Sequence, residues 1–248
     1  MKRASDRLFL ILTLSATLII LTILGVIVGN VAYHGTARLS WRFITAAPEM
    51  GMTAGGIFPA IYGTVFLVLL MSLAAVPFGV LVAIYFAEYA RVESRLYRWT
   101  RTAVNNLAGV PSIVFGLFGL GFFIQSIGSA LDRTFYPGRL IYGQPSILWA
   151  SMTMAVLTLP VVIITVEETL RSVPREYREA SVALGATRFQ TIFRVVLPQA
   201  WSGVMTGAIL AISRGAGEVA PVLFTGVPTS AWSSRMVTRV IDIDRSHG

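Results

Sequence analysis

Long uncharged apolar runs constrain this chain more than any other feature. Leu8–Val31, Ile57–Ala87, Ala103–Ile127 and Ile147–Val166 contain no Asp, Glu, Lys or Arg, and each reaches the roughly 20 residues a helix needs to cross hydrocarbon. A fifth run, Ala200–Phe224, is interrupted only by Arg214 and Glu218. In lipid every backbone amide must be satisfied within the protein, so continuous apolar runs of this length read as helices and not as alternating barrel strands. The expected fold class is all-α, a polytopic membrane protein with about five visible spans. The composition agrees, with 13% charged residues where soluble domains carry about a quarter.

The first run follows Lys2, Arg3 and Arg7, the pattern with which a secretory signal also begins. Its apolar stretch exceeds the 7–15 residues typical of a signal and no A-x-A site follows it, so it reads as a retained anchor. Basic residues set the orientation, because positively charged loops translocate poorly. With the N-terminus inside, twelve Lys and Arg fall on the cytoplasmic side, including Arg91, Arg95, Arg98, Arg101, Arg171, Arg175 and Arg178, against four outside. Most of the net charge of +8 is thereby a topology signal and not a nucleic-acid surface. With no cysteine in the chain, disulfides, zinc-thiolate sites and thiol catalysis are excluded. An intramembrane enzyme is poorly provided for, since His34 and His247 both lie outside the spans and no Ser–His arrangement falls at membrane depth.

The longest inside loop, Glu167–Gln199, reads as two short helices. Pro174 suits a first turn with Ser172 as its N-cap, and Gly185 is a natural residue just past the helix end. Thr187 and Gln190 stand in capping-box spacing, Phe189, Ile192, Phe193 and Val196 form an i, i+3, i+4, i+7 stripe, and Pro198 closes the run. The sequence Glu179-Ala180-Ser181, with Gly185 six residues after the Glu and then Val195-x-Leu197-Pro198, resembles the EAA loop of bacterial ABC importer permeases. An ordinary amphipathic hairpin on the membrane surface is the plainer alternative. The only lysine is Lys2, so the chain has no G-x-x-x-x-G-K-[ST] nucleotide loop.

Further blocks narrow the resemblance. Gly55–Thr64, Glu88-Tyr89-Ala90, Asn106–Leu117, Glu167–Pro174 and Arg214–Pro221 are similar to the phosphate-specific ABC importer permeases of the PstA type, over roughly residues 1–225. The resemblance implies a type I, MetI-like helical bundle in the bacterial inner membrane that forms half of a pathway for phosphate. It implies that Glu179, Ala180, Gly185, Leu197 and Pro198 couple to a separate ATPase dimer, which carries ATP and Mg, this chain holding no cofactor or metal. Its implied partners are a second homologous permease chain, a periplasmic or lipid-anchored phosphate-binding protein and membrane lipids, with no nucleic acid. A permease for another oxyanion or small solute, and an inactive scaffold, are the alternatives.

Arg214 stands apart because an arginine inside a membrane helix costs on the order of 2.5–3.5 kcal/mol on insertion scales and must face a partner or a wet pathway. Glu218, one turn on, can pair with it; alternatively the planar guanidinium fork serves phosphate oxygens. By resemblance Arg171 is a second pathway candidate, although its place at the end of span four also suits a topology anchor. The glycines Gly109, Gly116, Gly119 and Gly121 read as close helix packing. Residues 226–248 are too short and polar for the sixth span that the family resemblance implies, so the expected division is a permease domain over 1–225 and a divergent tail over 226–248.

Overall fold

The structure is a computed structural model that describes residues 2–36, 39–49, 54–91 and 93–225; the expected tail, 226–248, lies outside the described residues. Two compact units divide the chain near Pro59. In the first, α1 (Lys2–Gly35) extends the expected first crossing at both ends. Its side chains from Phe9 to His34 are all exposed, and a helix apolar on every side is one whose solvent is hydrocarbon. A short helix, α2 (Trp41–Thr45), is capped by Ser40, whose hydroxyl accepts from the Phe43 amide. Two-residue strands β1 (Pro48–Glu49) and β2 (Ala54–Gly55) then pair antiparallel. Gly55 sits at φ +86 against the backbone of Ala47–Glu49, a close approach in a left-handed conformation open to glycine alone.

The second unit is a helical bundle. It begins with α3 (Phe58–Ile84), continued by a π-helical turn over Tyr85–Tyr89. An amphipathic helix α4 (Arg95–Ala108) follows, then α5 (Ser112–Phe118), a π-helical stretch Gly119–Gly128 and α6 (Ser129–Phe135). The central element is α7 (Ile147–Ser172). After it come α8 (Arg175–Ala183), α9 (Arg188–Thr191), a π turn Ile192–Val196 and α10 (Leu197–Gln199). The described chain ends in α11 (Trp201–Gly217) and α12 (Ala220–Thr225).

Packing follows the absence of a hydrophobic drive between helices in lipid, which leaves close van der Waals contact between small residues to hold them. Along α3 the buried positions Leu67, Met71, Ala75, Gly79 and Ala83 recur every four residues. A Cβ on Gly79 would stand 2.7 Å from Val162 of α7. Helix α11 repeats the device with Gly203, Gly207, Ala211 and Gly215. There the Gly203 backbone lies directly on Thr169, Gly207 lies beside Val166, and Gly215 meets Met71 and Met154. α11 therefore runs antiparallel to α7. Buried Val162, Val166 and Leu170 of α7 join Ile192, Val196, Val204 and Ala211 in one apolar cluster. Pro77 and Pro160 lie inside α3 and α7, as bundled membrane helices tolerate.

Several boundaries differ from the sequence expectation. The third crossing begins at Ser112 and not at Ala103, running to Phe135; Gly109, Val110 and Pro111 break the helix, and Pro111 cannot continue it. Residues 103–108 belong instead to amphipathic α4. The fifth run starts at a 66° bend after Gln199 and is broken once, by extended backbone at Glu218. Among the described residues four helices are long and apolar enough to cross, and a fifth crossing follows only if the bent pair counts as one span. Of the glycines read as packing contacts, Gly119 lies against Thr153 and Thr225, whereas a Cβ on Gly121 would meet nothing.

At the far end of the bundle, Asp132 accepts from the amides of Ile141, Tyr142 and Gly143 at 2.7–3.1 Å. The Trp149 indole donates to the Tyr142 carbonyl at 2.6 Å. These bonds satisfy the turn that leads into α7.

Candidate functional site

Three clusters carry the polar chemistry of the bundle. The first lies where α7 ends. Glu167 is the last carboxylate to be buried on that helix, its side chain 2% exposed, and it faces two cations. Arg101 of α4 pairs with one oxygen, and Arg171, four residues on in α7, donates from Nε to the other at 3.0 Å. Arg171 also donates from Nη2 to the Phe86 carbonyl at 3.1 Å and to the Tyr97 hydroxyl at 3.3 Å. A carboxylate this deep would be costly alone, and two guanidiniums answer it. The arrangement fastens α4, the end of α3 and α7 together through Arg171 and Glu167.

The second cluster is the EAA-like loop. Gly185 adopts φ +85 just after α8, the conformation a glycine supplies at a helix end. Thr187 and Gln190 form both bonds of the capping box. Ser172, by contrast, caps nothing: it closes α7 with its hydroxyl on the Thr169 carbonyl. Pro174 occupies the N-cap position of α8, because Val173 before it is forced out of the helical region. Pro198 lies one residue before the end of the helical run Arg188–Gln199, which then bends by 66° into α11. The expected stripe is divided. Ile192 and Val196 are buried, while Phe189 and Phe193 stay exposed with rings 4.4 Å apart, since a π turn between them shifts the helical register.

The loop thus exposes Leu184, by 90%, together with Phe189 and Phe193. Glu179, Ala180 and Pro198 are exposed as well, while Leu197 packs on the core. Ser181 hydrogen-bonds the Thr191 hydroxyl at 2.9 Å and so ties the two short helices. Arg178 anchors α8 from behind, with Nη2 on Glu88 at 2.7 Å and on the Leu170 carbonyl at 2.8 Å, and Nη1 on the Val173 carbonyl at 2.6 Å. A recess of about 400 Å³ opens beside it, lined by Ala87, Glu88, Arg171, Arg175, Arg178 and Glu179.

The third cluster is the break in the last run. Arg214 lies in the final turn of α11 and Glu218 in the extended link to α12, Nε to Oε1 3.6 Å. Gly215, next to Arg214, packs at the level of Met154, thirteen residues or about 20 Å along α7 from Glu167. The pair is therefore far along the bundle from the first cluster, with the Arg214 side chain 37% exposed. Among the described residues Arg214 has no other polar partner.

Sequence reasoning did not single out Arg101, Glu167, Glu88 or Arg178 as a set. The arginines were absorbed into the inside-positive count. The signal available was local: Glu167 closes an uncharged run and stands four residues before Arg171, a helical pairing distance.

Residues 75–241 match the family described as binding-protein-dependent transport system inner membrane component. The chain is 33% identical over 244 residues to the phosphate transport system permease protein PstA of Yersinia pestis, covering 98% of this chain and 77% of that one. It is 41% identical over 170 residues to phosphate transport system permease protein PstA 1 of Mycobacterium tuberculosis (strain CDC 1551 / Oshkosh), covering 68% of this chain and 51% of that protein. For the first curated relatives it matches, the chain spans between half and just under two thirds of their length. The fold is also that of a solved chain of the MetNI methionine ABC transporter in an inward-facing conformation, with TM-score 0.51 and 19% identity over 76% of this chain and 88% of that one. The chain thus belongs to the family of binding-protein-dependent transport system inner membrane components.

Proposed function

We propose that this chain is the permease subunit of an ATP-driven phosphate importer. It lines half of a transmembrane pathway, with a second homologous permease chain supplying the other half. A phosphate-binding protein delivers the anion, and an ATPase dimer that carries ATP and Mg grips the Glu179–Pro198 segment. In this reading the end bearing Arg101, Arg171 and Arg178 faces the cytoplasm, as the inside-positive bias expects. Leu184, Phe189 and Phe193 supply the apolar contact for the ATPase, Gly185 sets its turn, and Glu179 stands at its rim.

The observation that carries the phosphate assignment is Arg214. It sits beside a helix break, held by one carboxylate at 3.6 Å. Intramembrane charges mark ion pathways, and broken helices recur where a transporter holds its solute. A guanidinium offers phosphate oxygens two parallel bonds, and Glu218 serves as its resting partner between transits. Relatives named as phosphate transport system permeases favour the same solute.

Uptake by the complete transporter reconstituted with Arg214→Gln tests this. Losing charged hydrogen bonds to the anion lowers phosphate uptake by about tenfold or more, while the complex still assembles and unlabelled phosphate outcompetes sulfate in the unmodified transporter. Undiminished uptake in the variant, or preferential competition by sulfate, overturns the assignment.

A further inference from the structure

Helix α4 is divided around its axis into three sectors, and only one is used by the bundle. Tyr97, Thr100, Arg101, Val104 and Leu107 form the inward sector, at least partly covered, with Arg101 and Tyr97 bonded to Glu167 and Arg171. Next to it on the wheel lie Leu96, Trp99 and Ala103, spaced i, i+3, i+7 and all exposed, Trp99 by 76% and Leu96 by 60%. The remaining sector is polar and carries Arg95 and Arg98, both exposed, with Thr102, Asn105 and Asn106. Among the described residues neither Arg95 nor Arg98 has a carboxylate partner. Exposed Arg91 lies just before the helix.

The connections fix where this helix can be. Only Gly109–Pro111 separate α4 from the crossing that starts at Ser112, so the helix end stays within about 14 Å of the first turn of that crossing. Residues 90–94 tether its other end to the π turn that closes α3. Tyr97 and Arg101 meet Arg171 and Glu167 in the last turns of α7, so the first half of α4 lies at the charged end of the bundle, where hydrocarbon gives way to water. A tryptophan and a leucine exposed side by side at that level, flanked by unpaired arginines, match a bilayer interface: an indole settles at headgroup depth and guanidiniums meet phosphate.

We infer that α4 is an interfacial lipid-binding helix that holds anionic phospholipid, with Leu96, Trp99 and Ala103 against the acyl boundary and Arg95 and Arg98 on the headgroup phosphate. This follows from the three-sector division and the short tethers, and it is independent of which solute the pathway carries. The contact secures the Arg101–Glu167 attachment from outside, because a helix seated in the headgroup layer cannot swing away from α7 without dragging Trp99 into water.

The full chain in nanodiscs of phosphatidylcholine, doped with spin-labelled phosphatidylglycerol or spin-labelled phosphatidylcholine, tests it. The unmodified chain retains the anionic label preferentially, and Arg95→Gln with Arg98→Gln lowers that preference by about fivefold for each arginine at low ionic strength. Arg95→Lys with Arg98→Lys, which keeps both charges at exposed positions, restores most of it. In the assembled transporter, a photoreactive side chain at position 99 gives lipid adducts. Equal retention of the two labels in the unmodified chain, an unchanged preference in the Gln variant, or a protein adduct from position 99 overturns the inference, the last by showing that another subunit covers the face.

Discussion

Two Arg–Glu pairs stand four residues apart at the ends of α7 and α11, and they are built in opposite senses. In Glu167–Arg171 the carboxylate comes first and the arginine lies one residue before the end of α7. That order suits the negative end of a helix dipole. In Arg214–Glu218 the order is reversed, so the carboxylate falls at the C-terminal end of α11, where the dipole disfavours it. The first pair is closed at 3.0 Å and supplemented by Arg101, Tyr97 and the Phe86 carbonyl; the second is open at 3.6 Å and has nothing further among the described residues. A pair with its geometry satisfied holds elements together. One built against its own dipole leaves a cation that a passing anion can use.

Removing the central carboxylate of the satisfied cluster has the largest expected effect. Glu167→Gln leaves Arg101 without its partner beneath α4 and weakens Arg171 at the same time. Breaking a buried pair on one side costs on the order of 3 kcal/mol, read as a lower midpoint in denaturant titration of the full chain in detergent. Equal stability of the variant and the unmodified chain would remove the distinction between the two pairs.

How much of this contrast could be read beforehand depends on whether a feature is local. The apolar runs, the Gly185 turn and the Thr187–Gln190 capping box involve neighbours in sequence, and residue type alone announces them. The i, i+4 spacing of Arg214 and Glu218 likewise announced their pair. The Arg101–Glu167 and Glu88–Arg178 contacts join residues 66 and 90 positions apart, and no periodicity encodes such a meeting. An intermediate case is the small-residue stripe Gly203, Gly207, Ala211, Gly215: its four-residue spacing is plain in the sequence, but the face it packs against is known only once α11 lies antiparallel on α7. The split of Phe189 and Phe193 from Ile192 and Val196 was hidden because a π turn changes the period on which a helical stripe is drawn.

Arg178→Gln sharpens the contrast at the second satisfied pair. Its guanidinium joins Glu88 at the end of α3 to α8 and also serves the carbonyls of Leu170 and Val173, so its loss frees the segment that bears Leu184. Charged hydrogen bonds are worth about 2 kcal/mol here, and because the loss is local it is read as roughly thirtyfold faster amide exchange across Arg175–Ala183. Exchange unchanged in that segment would mean that the Leu170–Arg175 connection alone positions α8.

The open pair is where the smallest change in stability is expected, and where stability and transport separate. Glu218→Gln removes an ion pair worth less than about 1 kcal/mol at 3.6 Å, and it also removes a carboxylate from the unfavourable end of a helix dipole. The two contributions oppose each other, so the denaturation midpoint stays within error of the unmodified chain. Transport does change, since Arg214 no longer has a resting partner to return to. The anion is held more tightly in the pathway, and phosphate uptake by the reconstituted transporter shows a lower apparent KM together with a lower maximal rate. A destabilisation comparable to that of Glu167→Gln would place Arg214–Glu218 among the structural pairs. Unaltered uptake kinetics at unaltered stability would show that the anion never competes with Glu218 for the guanidinium.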